Sequence, residues 1–174
     1  MLMLSSKLYN LPILSLHSGS KIATAEKPLI NPHNLKIVGW WCISPLSRSH
    51  MILLEEDVRE VSNRGLIIDD NTTLSEPEEL VKYKDVIDAD FHLLHKLVKT
   101  KHKKLGKVSD FSFNEGMFVQ KLYVNPPIIS VLSKDASLII DRTQILEVTD
   151  EYILVKDTDV KETSAVFAAE PATP

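Results

Sequence analysis

The chain has 174 residues, of which 44% are hydrophobic and 25% are charged, and its formal net charge is −4. This composition is typical of a globular protein of one or two domains, and the mildly acidic balance is not that of a general nucleic-acid-binding protein. One cysteine excludes an internal disulfide, no apolar run is long enough for a transmembrane helix, and no basic region precedes a signal-type segment, so we expect a cytoplasmic protein.

Two halves of the chain repeat one order of apolar blocks and turns. Identical residue types recur at an offset of 83 in the pairs Leu14/Leu97, Lys21/Lys104 and Asn31/Asn114. Farther along, the offset is 87 in the pairs Val61/Val148 and Asp70/Asp157. The larger offset indicates a longer loop in the middle of the second half. The sequence therefore predicts two copies of one small domain.

The first copy, residues 1–74, is predicted to consist of short strands. Alternating, β-branched and aromatic residues place these strands at 11–17, 35–43, 51–54, 58–61 and 65–69. Ser18-Gly19-Ser20 supplies a turn after the first of them.

Residues 75–90 are predicted to form a helical linker. Ser75 and Glu78 have the spacing of a capping box, and Pro77 falls in the first turn, where its missing N–H group costs nothing. Apolar residues then follow at helical spacing, so the sequence predicts a helix at 76–88 that covers one or both domains.

The second copy, residues 91–157, repeats the strand pattern, and a tail follows it. Its predicted strands are 93–99, 105–113, 117–124, 138–141, 145–148 and 151–156. Residues 158–174 contain mostly Ala, Thr, Glu, Ser and Pro, with Phe167 as the only large apolar residue, so we expect a disordered tail. The predicted fold class is all-β, with two tandem small barrels joined by a short helical linker.

The strand-forming blocks resemble the PRC-barrel family. In the second copy, residues 103–111 (KKLGKVSDF) resemble the family's core motif G-x-x-(I/L)-G-x-V-x-D. Residues 138–141 and 145–148 are similar to its closing region, without the usual proline, and 152–155 to its last strand. In the first copy the match is weaker, because Ala23 stands where the family has glycine.

The resemblance implies compact, strongly curved barrels and a binding role. The family includes the cytoplasmic domain of the photosynthetic reaction-centre H subunit. It also includes a domain of a ribosome-maturation factor that contacts a small-subunit ribosomal protein. Neither role is enzymatic, and the resemblance implies no cofactor.

The sharpest local feature is a lysine-rich segment at 96–107, predicted to form a hairpin. Its cations are Lys96, Lys99, Lys101, Lys103, Lys104 and Lys107. They could contact an acidic protein, contact RNA or the ribosome, or simply be solvated. No aromatic residue or arginine is interleaved for base stacking or bidentate contacts. Residues 55–90 carry a local charge of −8 and residues 91–134 a charge of +6, so the two regions could attract each other across the domain interface or between two copies of the chain.

The loop after Val124 is the best candidate for a partner-binding site. It contains the apolar residues Ile128, Ile129, Val131 and Leu132. If these side chains are exposed, they form a patch that requires a partner, whereas the alternative is that they plug the end of the barrel.

Residues with catalytic or metal-binding chemistry are not arranged for such roles. On a strand, His92 and His95 would face opposite sides, which favours surface histidines over a metal pair. Cys42 lies in an apolar strand and is predicted to be buried, and the neighbouring acids at 55–57 and 69–70 have no nucleophile to serve. We therefore expect a non-catalytic adaptor or scaffold that binds a protein, with no metal or cofactor; the alternative is an RNA- or ribosome-associated factor.

Overall fold

A computed structural model describes residues 1–45, 49–62, 64–127 and 137–157. The protein is all-β, as predicted, and its strands form two curled half-barrel sheets. No helix in these four ranges combines the length and apolar character needed to cross a membrane. The apolar loop residues at 128–132 and the tail at 158–174 lie outside the described residues.

The first sheet contains seven strands in the order β6-β7-β2-β3-β4-β5-β8. They are β2 (Leu11–Ser15), β3 (Ser20–Asn31), β4 (Lys36–Ile43), β5 (His50–Leu54), β6 (Glu60–Ser62), β7 (Gly65–Ile68) and β8 (Leu74–Ser75). All neighbours are antiparallel except β2 and β7, which pair in parallel.

The second sheet has the order β12-β11-β10-β9-β14-β13 and receives one strand from the N-terminus. Its strands are β9 (Leu97–Lys99), β10 (Lys104–Phe113), β11 (Val119–Asn125), β12 (Leu138–Asp141), β13 (Ile145–Val148) and β14 (Tyr152–Val155). The additional strand β1 (Met3–Leu4) pairs with the end of β10. The first residues of the chain therefore belong to the second sheet rather than to the first.

The two sheets share one strand order. Read from β6 to β5, the first sheet matches the second sheet read from β13 to β12. The one parallel pair also recurs, since β9 pairs in parallel with β14 as β2 does with β7. Each pair of equivalent strands lies at one of the offsets found in the sequence.

The longest strand, β3, is absent from the strands predicted by sequence. Its first half contains Lys21, Ala23 and Ala25 and its second half contains Pro28, and alanine, lysine and proline have low strand propensity. Pairing with β2 involves only residues 20–25, so Pro28 lies where β3 has lost that neighbour. A missing N–H group is tolerated at such a position.

The linker has less α-helix than predicted. Two 3-10 turns, Pro77–Glu79 and Val81–Tyr83, precede a single α-helix, α1 (Lys84–Ala89). The capping box joins Glu76 and Glu79 rather than Ser75 and Glu78. Leu80 interrupts the helical path because its ψ angle is 58°. Val86 and Ile87 of α1 pack on the outer face of the first sheet.

One apolar core joins the two sheets. It includes Trp40 and Leu53 from the first sheet and Phe111 and Phe113 from the second, all fully buried. Leu8 and Phe91, which lie just before the first strand of each half, belong to the same cluster. The molecule therefore buries side chains of both sheets together, as expected where each half alone is marginal in size.

Reciprocal contacts hold the sheets against each other. The N–H group of Ile37 donates to Met117 O at 2.8 Å, and that of Val119 donates to Leu35 O at 3.0 Å. These two bonds flank an isolated antiparallel bridge between Lys36 and Phe118. The β3–β4 hairpin and the β10–β11 hairpin thus contribute equivalent residues to one junction.

A second reciprocal pair joins the segment before each half to the opposite sheet. Ser5 Oγ donates to Asp110 on β10, and Lys27 on β3 lies 2.8 Å from Asp90. Asp110 and Lys27 are equivalent positions at the offset of 83. The same location therefore carries a cation in one half and a carboxylate in the other.

Candidate functional site

The lysine-rich segment forms a hairpin, as predicted, and we call residues 96–107 the basic hairpin. Strands β9 and β10 form its arms, and residues 100–103 connect them. Thr100 fixes the connection: its N–H group donates to Lys103 O at 2.9 Å, and its hydroxyl accepts the N–H groups of His102 and Lys103 at 3.2 Å each. Thr100 is 5% exposed, so a buried side chain holds the conformation of this turn.

An irregularity in β10 brings lysines onto one face. Lys104 lies opposite Lys99, whereas Lys107 lies opposite Leu97, with a register shift between Lys104 and Gly106. Because directly opposite residues share a face of the sheet, the shift puts Lys99, Lys104 and Lys107 on the outer face. Without it, residues 104 and 107 would point to opposite sides.

Two of the six lysines are held by neighbouring groups. Lys96 Nζ donates to the carbonyl oxygen of Asp150 and lies 4.4 Å from the centroid of the Phe91 ring. Partial burial lowers the pKa of Lys96, which the nearby Asp150 partly opposes. Lys99 Nζ lies 3.5 Å from the centroid of the Tyr152 ring. These two lysine side chains therefore make contacts within the fold.

The other four lysines are exposed to solvent. Within the part of the chain that the structure describes, Lys101, Lys103, Lys104 and Lys107 form no ion pair. Their charges are therefore not neutralised by the described parts of the fold.

The fold brings two kinds of side chain against the basic hairpin that are not found within residues 96–107 themselves. Strand β14 brings an aromatic ring, Tyr152, against Lys99, although no aromatic residue lies within the segment itself. The β13–β14 region also brings acids: Asp150 lies beside Lys96, and Asp157 lies 3.2 Å from His102 Nε2. Only the parallel pairing of β14 with β9 could have revealed these neighbours, and local sequence does not contain that information.

Two of the exposed lysines, Lys104 and Lys107, lie on β10, the arm of the hairpin away from β14, whereas Lys101 and Lys103 lie in the turn. Lys107 is opposite Asn125, the last residue of β11. The predicted apolar site, Ile128, Ile129, Val131 and Leu132, follows within a few residues of Asn125 but lies outside the described residues. Lys107 therefore neighbours the point where this loop begins.

The histidine pair does not lie on a strand. His92 is exposed and its Nε2 lies 3.2 Å from Asp90 Oδ2, where Lys27 also binds. His95 is exposed and has a left-handed backbone, with φ of 66°. Hydrogen bonds from Lys27 and His92 outweigh partial burial and lower the pKa of Asp90. His92 thus belongs to the contact between the second half and β3.

The neighbouring carboxylates have structural partners. Arg59 donates two hydrogen bonds to Asp69, at 2.8 and 3.0 Å. Asp70 caps the turn at 71–73 by accepting from Thr72, and these hydrogen bonds lower the pKa of Asp70. Both carboxylates therefore stabilise local structure.

A cavity of about 660 Å³ lies at one end of the first sheet, between the β2–β3 hairpin and residues 71–76. Its floor includes Met51 and Leu74. Its serine hydroxyls are largely satisfied within the fold, since Ser15 donates to Asp69 O and Ser18 pairs with Ser20. The other polar side chains of the lining are those of His17, Lys21, Asn71 and Glu76.

Cys42 is completely buried, as predicted, and its Sγ lies 3.3 Å from Trp40 O. Burial raises the pKa of this thiol to about 12. At pH 8 only about one molecule in ten thousand carries the reactive thiolate.

We expect Cys42 of the native chain to react with a disulfide reagent roughly a hundredfold or more slowly than in the urea-unfolded chain, as followed by thiol release. Equal rates for the two states would contradict this placement.

Neither the scan against protein-family models nor the search of the curated proteins finds a match to this chain.

Proposed function

We propose that the chain is a tandem pair of PRC-like barrels that works by binding another protein, without catalysis. The shared strand order of the two sheets supports a duplicated domain. The motif at 103–111 supports the family, because its glycine, Gly106, follows the register shift that shapes the basic hairpin. Full burial of Cys42 removes the one thiol from nucleophilic chemistry.

The observation that carries the binding role is the group of four unpaired lysines on an ordered hairpin. Lys104 and Lys107 are held on one face by strand pairing, and Lys101 and Lys103 extend this charge to the turn. A rigid cationic surface attracts and orients an acidic partner, raising the rate of association. We propose that the partner is a protein with a complementary acidic surface.

Three features favour a protein over RNA. Lys99 covers the face of the Tyr152 ring, which is then not open for stacking with a base. The hairpin contains no arginine for bidentate phosphate contacts. Asp150 and Asp157 flank the hairpin on its β14 side and would repel a polyanion that extends across the sheet.

The double charge reversal Lys104→Glu/Lys107→Glu is expected to abolish capture of the partner from a nuclease-treated lysate. The direct probe is a polyglutamate peptide, for which we expect affinity to fall roughly tenfold or more, with a steep dependence on salt. The matched control is Lys21→Glu/Lys82→Glu, which makes the same change in net charge on one exposed lysine of the first half and one of the linker. Equal loss in both variants would mean that net charge, and not the basic hairpin, determines binding.

The lysate experiment also separates the alternative function. If nuclease treatment removes all captured material, and single-stranded RNA binds more tightly than polyglutamate, the chain is an RNA-associated factor and the protein-adaptor proposal is wrong.

A further inference from the structure

A groove of about 330 Å³ lies between the two halves, where the turn that joins β3 to β4 faces strand β13. Residues 32–35 line it from the first half, and Arg142 and residues 145–148 line it from the second. The segments that flank β13, at 137–144 and 149–157, also lie within the described ranges. A groove of this size accommodates a short segment of chain rather than a large molecule.

The wall formed by the turn is fixed by its own hydrogen bonds. The N–H group of Leu35 donates to Asn31 O at 2.8 Å, and Asn31 Oδ1 accepts the N–H group of His33 at 2.9 Å. Asn34 Oδ1 accepts the N–H group of Lys36, also at 2.9 Å. A partner that enters the groove therefore meets a preformed wall and has little conformational entropy to remove from it.

The opposite wall is the edge of a sheet. Strand β13 is the last strand on its side of the second sheet and, within the described ranges, pairs only with β14. Its residue Leu146 is 50% exposed. The backbone groups on the outer side of an edge strand have no partner in the sheet, so they can pair with an extended segment of another protein.

The equivalent edge of the first sheet has a charged residue where β13 has Leu146. Strand β6 corresponds to β13 at the offset of 87, and the residue equivalent to Leu146 is Arg59. Arg59 is held beside this edge by its two hydrogen bonds to Asp69. Charged side chains discourage the addition of a further strand, whereas apolar ones do not. Of the two equivalent edges, the edge of β13 is therefore the better template.

A guanidinium group lies just before β13. Arg142 Nη1 donates to Val119 O at 3.1 Å, and Arg142 Nη2 donates to Asn34 O at 2.6 Å. The guanidinium carbon lies 5.1 Å from the centroid of the Phe118 ring. These neutral partners fix the position of the group, but they do not neutralise its charge and they use only some of its N–H donors.

Within the described ranges, Arg142 forms no ion pair. Glu147 also lines the groove, but it accepts a hydrogen bond from Tyr152 Oη at 3.4 Å. In the first half, the residue equivalent to Arg142 is Glu55, which pairs with Lys36 at 3.2 Å. The second half thus has a fixed cation without a carboxylate where the first half has a complete ion pair.

We infer that the edge of β13 takes an extended segment of a partner protein as an added strand, and that Arg142 binds an acidic side chain of this segment. Backbone hydrogen bonds to β13 supply the part of the affinity that does not depend on sequence, and an apolar side chain of the segment covers Leu146. Arg142 supplies specificity, because a guanidinium can donate two parallel hydrogen bonds to one carboxylate. The site does not include the basic hairpin, so the inference goes beyond the proposed function and does not depend on it.

Hydrogen exchange with a synthetic peptide tests the inference. The probe is a short capped peptide of alternating threonine and valine with an aspartate at each end, so that either strand direction brings a carboxylate to Arg142. We expect saturating peptide to slow exchange of the outward-facing amides at 145–148 roughly tenfold, with exchange in β6 unchanged. The control peptide has methylated backbone amides, cannot add as a strand and should give no protection.

Two results of this exchange experiment would overturn the inference. One is protection by the peptide at β6 or β12 instead of β13. The other is that the outward-facing amides of β13 are already protected without peptide at micromolar concentration, because the chain itself or a second copy then covers this edge.

The role of Arg142 is tested with two peptides. We expect Arg142→Gln to lower the affinity for the aspartate peptide roughly tenfold and to leave unchanged the affinity for a peptide with asparagine in place of both aspartates. Because Arg142 also donates to Asn34 and Val119, a disturbed fold would weaken both peptides alike. Equal loss for the two peptides would therefore overturn the assignment of Arg142.

A matched pair of variants identifies the edge without changing Arg142. Leu146→Asp places a charge on the edge of β13 and should abolish protection by either peptide. Ile139→Asp makes the same change on the opposite edge of the second sheet, at a residue that is 39% exposed, and should leave protection intact. Equal loss in both variants would contradict the placement at β13.

The basic hairpin is the competing site, because the aspartate peptide is acidic. Affinity that is lost in Lys104→Glu/Lys107→Glu and retained in Arg142→Gln would assign the peptide to the basic hairpin. That result would overturn the inference and leave the proposed function standing.

Discussion

The substitution Gly106→Ala is expected to destabilise the protein by about 3 kcal/mol, because two separate penalties coincide at this residue. Gly106 has φ of 142°, which side chains rarely adopt, and an added Cβ would lie 1.8 Å from the carbonyl oxygen of Asn125. That oxygen belongs to the backbone of β11 and cannot move without disturbing the sheet. Urea unfolding followed by circular dichroism measures the change.

The control Gly19→Ala distinguishes the cost of a strained backbone from the cost of a steric clash. Gly19 also has a positive φ, of 64°, but an added Cβ there has no atom within 4 Å. We expect a cost of about 1 kcal/mol, from the left-handed backbone alone. A similar cost for both substitutions would mean that the approach of Asn125 is relieved easily and that Gly106 is important only for its φ angle.

The first half has Ala23 at the position that corresponds to Gly106 of the second half. Ala23 follows a register shift between β2 and β3, just as Gly106 follows one between β9 and β10. Among the described residues with positive φ, Gly106 is present and Ala23 is not. The first half thus accommodates the same irregularity with a backbone that alanine can adopt.

The local sequence pattern was sufficient to predict the strands in which apolar and polar residues alternate or β-branched residues are frequent. Strands β4, β5 and β7 lie within or close to the predicted ranges, because their side chains divide between core and outer face. Strand β3 was missed because alanine, lysine and proline do not have that pattern, and its position depends on partners that border it on both sides. Strand β1 was missed because a strand of two residues is too short to show an alternating pattern.

The surroundings of the candidate site were predictable only in part. The hairpin and its six lysines follow from local sequence. The outward direction of Lys107 depends on the register shift beside Gly106, and Asp150 and Asp157 flank a strand more than 40 residues away. Local charge counts therefore overstate how much of the basic hairpin is free to bind.

Shared burial of the two sheets predicts that they unfold together, and the distribution of tryptophan makes this measurable. The chain has two tryptophans, Trp40 and Trp41, and both lie in β4 of the first sheet. Phe113 lies in the second sheet, is fully buried, and belongs to the same apolar cluster as Trp40. Phe113→Ala removes most of a large core side chain, and we expect it to lower the free energy of unfolding by about 4 kcal/mol.

If the core is one cooperative unit, Phe113→Ala lowers the urea midpoint of tryptophan fluorescence by the same amount as the midpoint of circular dichroism. The control Leu146→Ala removes an apolar side chain of the same sheet that is 50% exposed, and we expect a shift below about 1 kcal/mol. A fluorescence midpoint that stays at its wild-type value would mean that the first sheet is stable without the second. The reciprocal hydrogen bonds at Leu35 and Met117 would then join two independently folded domains.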